Sequence, residues 1–186
     1  MMNLKIALLF ASLLVLTGCI PSIQKKWDVQ PVEGTVVDAE TGQPVQDVTI
    51  TNQDDPTLTT RTNDNGQFGI EEQTHIGFHM LMVGSAMDTQ TWRISHPDYP
   101  DAVAQTQSLI PPLSRELQTL TIPLFRQLPA SPQNCPDFGY LLKLGQWRAD
   151  KQIEQIEMRF VEPASCEDPE ALDTLYEVWF PEFGSE

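Results

Sequence analysis

The chain holds three histidines and three cysteines, and their spacing limits the chemistry open to them. His75 and His79 stand four apart. On a continuous strand that puts both on one face, where two imidazoles could share a metal. Two ligands make a weak site, and the plainer reading is a pair of strand-edge histidines. None of His75, His79 and His96 is followed by Glu at the His-x-x-Glu spacing of a zinc peptidase. A thiol nucleophile needs an imidazole beside it, and the histidine nearest in sequence to Cys135 is His96. Asn63-Asp64-Asn65-Gly66 begins like a calcium loop, but Glu71 and Glu72 come too early to serve as its bidentate ligand. No cofactor is implied, and a metal-dependent hydrolase is the least favoured class.

The elements that must carry these residues are bounded by composition. A chain of 186 residues supports one domain with an appendage, and 40% hydrophobic residues suffice for a core. With 26 acids against 11 bases the net charge is -15, which repels a phosphate backbone. The densest basic spot, Lys25-Lys26, reads as a solvated linker, so nucleic acid is excluded as a partner.

Met1 to Cys19 has the layout of a secretory signal: a positive charge at Lys5, an apolar run from Ile6 to Leu16, and small residues after it. The run is shorter than the roughly 20 apolar residues a spanning helix needs. Its ending, Leu16-Thr17-Gly18-Cys19, resembles the lipobox of bacterial lipoproteins. The resemblance implies that residues 1–18 are removed and that Cys19 carries a diacylglyceryl thioether and an acylated amine. Each buried acyl methylene contributes about 0.8 kcal/mol, so several chains make a durable membrane anchor. Ile20, where inner-membrane lipoproteins of enteric-type bacteria carry Asp, implies an outer-membrane anchor, with the chain facing the periplasm. Pro21 to Pro31 reads as a short polar tether, with Trp27 capping the first strand in preference to lying at the lipid interface.

From Val32 to Ile70 apolar and polar residues alternate with the period of a half-buried sheet. Val32, Gly34 and Val36 share one face, and Val48 and Ile50 resume it after a turn over Asp38 to Gly42. A second turn falls at Asp54-Asp55-Pro56, and Asn65-Gly66 suits a tight hairpin. Phe68 and Ile70 re-enter the core. The set Gly34, Val36, Asp38, Thr41, Gly42, Pro44, Val48, Ile50, Thr62, Asp64, Gly66 and Phe68 resembles the carboxypeptidase regulatory-like domain. That resemblance implies a seven-stranded Greek-key β-sandwich of transthyretin-like topology over residues 32–127. Phe78 to Val83 and Trp92 to His96 read as further strands, Ser85 to Thr91 as a turn, and Ala102 to Arg115 as a long connection. Leu120, Ile122 and Leu124 alternate as a closing strand. The match loosens after residue 72: Asp98 stands where the family has Gly, and Gly77-Phe78-His79 replaces its Gly-x-Tyr.

Residues 128–186 form an acidic appendage beyond the resemblance, opened by a linker at Leu128 to Pro132. Once Cys19 is lipidated, Cys135 and Cys166 remain as an even pair in an oxidising compartment, which reads as a disulfide. Asp168-Pro169-Glu170 is a helix start, Leu172, Leu175, Tyr176 and Trp179 make its apolar stripe, and Pro181 ends it. Ile153, Ile156 and Phe160 fit a second helix, although Ile156, Met158 and Phe160 fit a strand equally; the charged composition favours the helix. Asp150 to Glu186 carries 11 acids against Lys151 and Arg159. The plain reading is a solvated helix face. The sharper one is a docking surface for a basic partner with Trp179, Phe180 and Phe183 as anchors, although these aromatics serve equally to pack the helices.

These readings lead to a non-enzymatic, lipid-anchored envelope protein acting as a binding or adapter module, with a structural subunit of an envelope or secretion complex as the alternative. Transthyretin-like hydroxyisourate hydrolases end in Tyr-Arg-Gly-Ser, whereas this chain ends Pro-Glu-Phe-Gly-Ser-Glu. The residues therefore give no support to that enzyme class.

Overall fold

The computed structural model describes residues 20–81, 86–110, 118–151 and 166–181. The expected leader with Cys19, the expected second helix through Ile153, Ile156 and Phe160, and the docking candidate Phe183 lie outside the described residues. The described chain is mainly β, with nine strands followed by two helices. The strands are β1 (Ile20–Val29), β2 (Val32–Asp38), β3 (Thr49–Asn52), β4 (Thr59–Arg61), β5 (Gln67–Ile70), β6 (Gln73–Leu81), β7 (Ala86–His96), β8 (Tyr99–Ile110) and β9 (Gln118–Leu124). The helices are α1 (Phe138–Lys151) and α2 (Pro169–Trp179).

Two sheets make a sandwich-like body. One has the order β5-β2-β9, with β2 and β9 parallel, and the other the order β4-β3-β7-β8. Alternation dictates what each contributes: Val32 and Val36 of β2 point inward with Ile122 and Leu124 of β9, opposite Ile50 of β3 and Trp92 and Ile94 of β7. Large and small residues complement each other across β7 and β8, with Trp92 opposite Ala104 and Ile94 opposite Ala102. The buried Trp92 indole donates to Thr106 Oγ1 at 3.1 Å, so its one polar atom is satisfied. Gly34 faces Phe68 in register, where an added Cβ would lie 2.5 Å from the ring.

Four expectations are corrected. The segment read as a tether is strand β1, paired with β6 into a two-stranded ribbon from Ile20↔Leu81 to Trp27↔Thr74. The turn expected at Ser85 to Thr91 is strand from Ala86 onward, and the connection expected from Ala102 is strand as far as Ile110. Small buried residues conceal β8: Ala102, Ala104 and Thr106 form no large apolar stripe, although Trp92 and Ile94 need them opposite.

The Asn65-Gly66 turn joins β4 and β5, which belong to different sheets. It is therefore not a two-residue hairpin. Asn63 organises it, accepting from Asn65 N at 2.9 Å and Gln67 N at 3.0 Å, while Gly66 takes φ +70°.

The appendage does not keep a separate core. Tyr140, Leu141 and Leu144 of α1 and Leu175 and Trp179 of α2 join the cluster of the sandwich. Helix α1 escapes the sequence reading because Gly139 and Gly145 lower its propensity. Packing requires Gly145 all the same, since a Cβ there would lie 2.7 Å from Val178 and 2.9 Å from the Trp179 indole nitrogen. The expected disulfide between Cys135 and Cys166 is present and ties the start of α1 to the start of α2.

Candidate functional site

Asp38 ends β2, Tyr99 begins β8 and Arg126 follows β9, so three strand ends converge on one carboxylate. The Asp38 side chain is 4% exposed. Its Oδ1 accepts from Glu40 N at 3.0 Å, Thr41 N at 2.9 Å and Thr41 Oγ1 at 3.1 Å. Its Oδ2 accepts from the Tyr99 hydroxyl at 2.7 Å and pairs with Arg126 Nη2 at 2.8 Å. The Arg126 guanidinium lies 5.1 Å from the Tyr99 ring centre and donates to the Tyr99 hydroxyl at 3.2 Å. The His96 ring meets Tyr99 edge-on at 5.4 Å.

The Tyr99 hydroxyl, with the Thr41 and Glu40 donors, holds Asp38 far below the ordinary carboxylate range despite its burial. Burial and the adjacent Asp38 carboxylate push Tyr99 upward, and Tyr99 and Asp38 together push Arg126 upward. Asp38 thus stays ionised and Tyr99 protonated. With five donors on its two oxygens, the carboxylate has its acceptor capacity filled, so the cluster clamps the sheets together and is not arranged as a proton-transfer pair.

A second set of contacts fixes the helices to the same body. Arg93 Nη1 reaches Asp137 at 2.6 Å, the Tyr140 hydroxyl donates to Pro123 O at 3.2 Å, and the Trp147 indole donates to Ala39 O at 3.3 Å. Asp168 caps α2 as expected, accepting from Glu170 N and Ala171 N at 3.1 Å each. The capped helix buries Leu175 and Trp179 and turns Glu170, Asp173, Tyr176 and Glu177 outward.

The expected site residues separate as follows. Trp179 is fully buried and donates to Leu141 O at 3.1 Å, so for this residue the packing alternative holds and the docking role is withdrawn. Phe180 is half-buried and stacks on Tyr176 at 6.0 Å between ring centres, with Tyr176 itself 47% exposed. His75 Nδ1 lies 2.6 Å from Asp28 Oδ1. His79 sits opposite Ser22 in the same strand. Four residues of extended strand separate their backbones by ~13 Å, too far for two imidazoles to share one metal comfortably. His96 lies at the β7–β8 turn, accepting from Asp98 N at 3.2 Å. No group of three or more metal-ligating side chains occurs among the described residues.

Sequence reasoning treated Asp38 as turn chemistry and missed Tyr99 and Arg126 as its partners. The available signal was an aromatic hydroxyl beside Asp98 in a turn, which marks an exposed corner and does not reveal a contact 61 residues away. No family model matches the chain, and no curated protein matches it either.

Proposed function

We propose that the protein is a non-enzymatic envelope lipoprotein, anchored through Cys19 in the outer membrane, that docks a basic protein partner on the outward face of α2. Its body is read as the transthyretin-like Greek-key sandwich of the carboxypeptidase regulatory-like kind. The observation that carries the docking role is the exposed row Glu170, Asp173, Tyr176 and Glu177, with Phe180 stacked on Tyr176. Three carboxylates around an aromatic surface suit a partner bearing Lys or Arg, whose guanidinium or ammonium can meet both charge and ring. Leu175 and Trp179, buried in the common core, supply rigidity behind that face.

A photo-crosslinking residue at position 173 in intact cells tests the reading. The expected result is one discrete adduct that disappears when Glu170→Lys and Glu177→Lys are added. An adduct that persists in the charge-reversed chain contradicts it. Adducts that follow abundance alone do so equally.

A further inference from the structure

The ribbon of β1 and β6 turns large apolar side chains to solvent. Its register pairs Pro21 with Met80, Ile23 with Phe78, Lys25 with Ile76 and Trp27 with Thr74. Members of one pair lie on the same side of a strand pair, and successive odd positions repeat that side. Ile23 and Ile76 therefore share one face, apolar at both positions. His75 and the backbone position of residue 24 belong to the other face. On the apolar face, Ile23 is 76% and Ile76 77% exposed, two of the three large apolar residues exposed among those described.

Such a ribbon needs a cover. A lone two-stranded sheet is marginal in water unless its apolar face packs on something, and among the described strands β1 and β6 pair only with each other. Its foot is held by Asp28, which pairs with His75 and accepts from the Gln90 side chain through its carbonyl oxygen. We infer that the cover is the bilayer itself: the ribbon lies with its Ile23–Ile76 face on the membrane surface as a second, non-covalent contact beside the anchor.

Two observations select lipid as the occupant. Ile20, already paired with Leu81, is the residue directly after Cys19, so an acylated Cys19 brings one end of the ribbon to the head groups. From there the paired strand continues for ~27 Å to Asp28. Charge agrees: in a chain of net charge -15, the two ribbon strands hold Lys25 and Lys26 against the single acid Asp28. Lysines beside an anchor favour anionic head groups.

The inference rests on the anchored reading, and the test separates the two. The full-length chain, processed and purified from bacterial membranes, is labelled with bimane at Ile23→Cys, Ile76→Cys or Gln24→Cys. Each labelled protein is reconstituted into phosphatidylethanolamine–phosphatidylglycerol vesicles whose acyl chains carry bromine, and Cys19 is checked by mass. The expected result is several-fold stronger quenching at positions 23 and 76 than at 24, weakening when phosphatidylglycerol is replaced by phosphatidylcholine. Acylated Cys19 with equal quenching at all three positions overturns the ribbon inference alone. So does a disulfide-linked dimer of the unlabelled Ile76→Cys chain together with no quenching at the labelled position, which would make a second copy the cover. Unacylated Cys19 overturns the anchored reading and, with it, the ribbon inference.

Discussion

The Tyr99 hydroxyl donates to Asp38 Oδ2 across 2.7 Å, joining the first residue of β8 to the last of β2. These strands belong to different sheets, so the bond closes one end of the sandwich. Removing the hydroxyl leaves a buried carboxylate one donor short. Tyr99→Phe is expected to cost about 1.5–3 kcal/mol, the range for a hydrogen bond to a charged group. Asp38→Ala, which also strips the Thr41 and Glu40 amides of their acceptor, is expected to cost more than Tyr99→Phe. Urea unfolding followed by Trp92 and Trp179 fluorescence measures both.

Acid should act through the same carboxylate. The folded pKa of Asp38 is depressed, so as pH falls the unfolded chain takes up its proton first. Its contribution is complete above about pH 4, the ordinary carboxylate value, and is withdrawn as pH drops further toward the folded pKa. Asp38→Asn should therefore unfold at a lower urea concentration near neutrality and show a shallower loss of stability between about pH 4 and pH 2. Equal acid slopes in the two proteins would remove Asp38 from this role.

Gly66 tests the turn that carries the chain between sheets. It combines φ +70° with a close approach, since a Cβ would lie 2.6 Å from Val36 O and 2.9 Å from the Pro44 ring. Both the positive φ and the clash oppose a side chain, so Gly66→Ala should cost about 2–4 kcal/mol. Gly42 has φ +71° but nothing within 4 Å, so Gly42→Ala should cost only the conformational part, about 1–2 kcal/mol. Thermal unfolding of the pair separates the two contributions.

The amphipathic pattern of β2, β3, β5 and β9 was legible in the sequence because large apolar residues alternate there with polar ones: Val32 and Val36, Ile50, Phe68, Ile122 and Leu124. The cap of α2 was legible for a local reason, since Asp168 and Pro169 act within one turn. Helix α1 and strand β8 were not, because their small residues are chosen by neighbours distant in sequence. Gly145 answers to Trp179, and Ala102 and Ala104 to Ile94 and Trp92. The Asp38 cluster was hidden for the same reason: its turn contacts are local, while Tyr99 and Arg126 arrive through the fold.

The disulfide holds the two helix starts together across a sequence separation of 31. In the chain-entropy account a loop of that size contributes roughly 3–4 kcal/mol. Paired Cys135→Ser and Cys166→Ser substitution should lower the unfolding midpoint accordingly, and dithiothreitol should reproduce the loss in the parent chain and leave the double variant unchanged. Because Leu175 and Trp179 belong to the common core, the loss should be seen by sandwich probes as well as helix probes.

The anchor is the claim on which the cellular account turns, and the mass of the amino-terminal peptide from membrane-extracted protein tests it directly. The expected result is a peptide beginning at Cys19 with added mass for a diacylglyceryl group and an amide-linked acyl chain. A peptide that begins elsewhere, or a Cys19 without acyl mass, would contradict it.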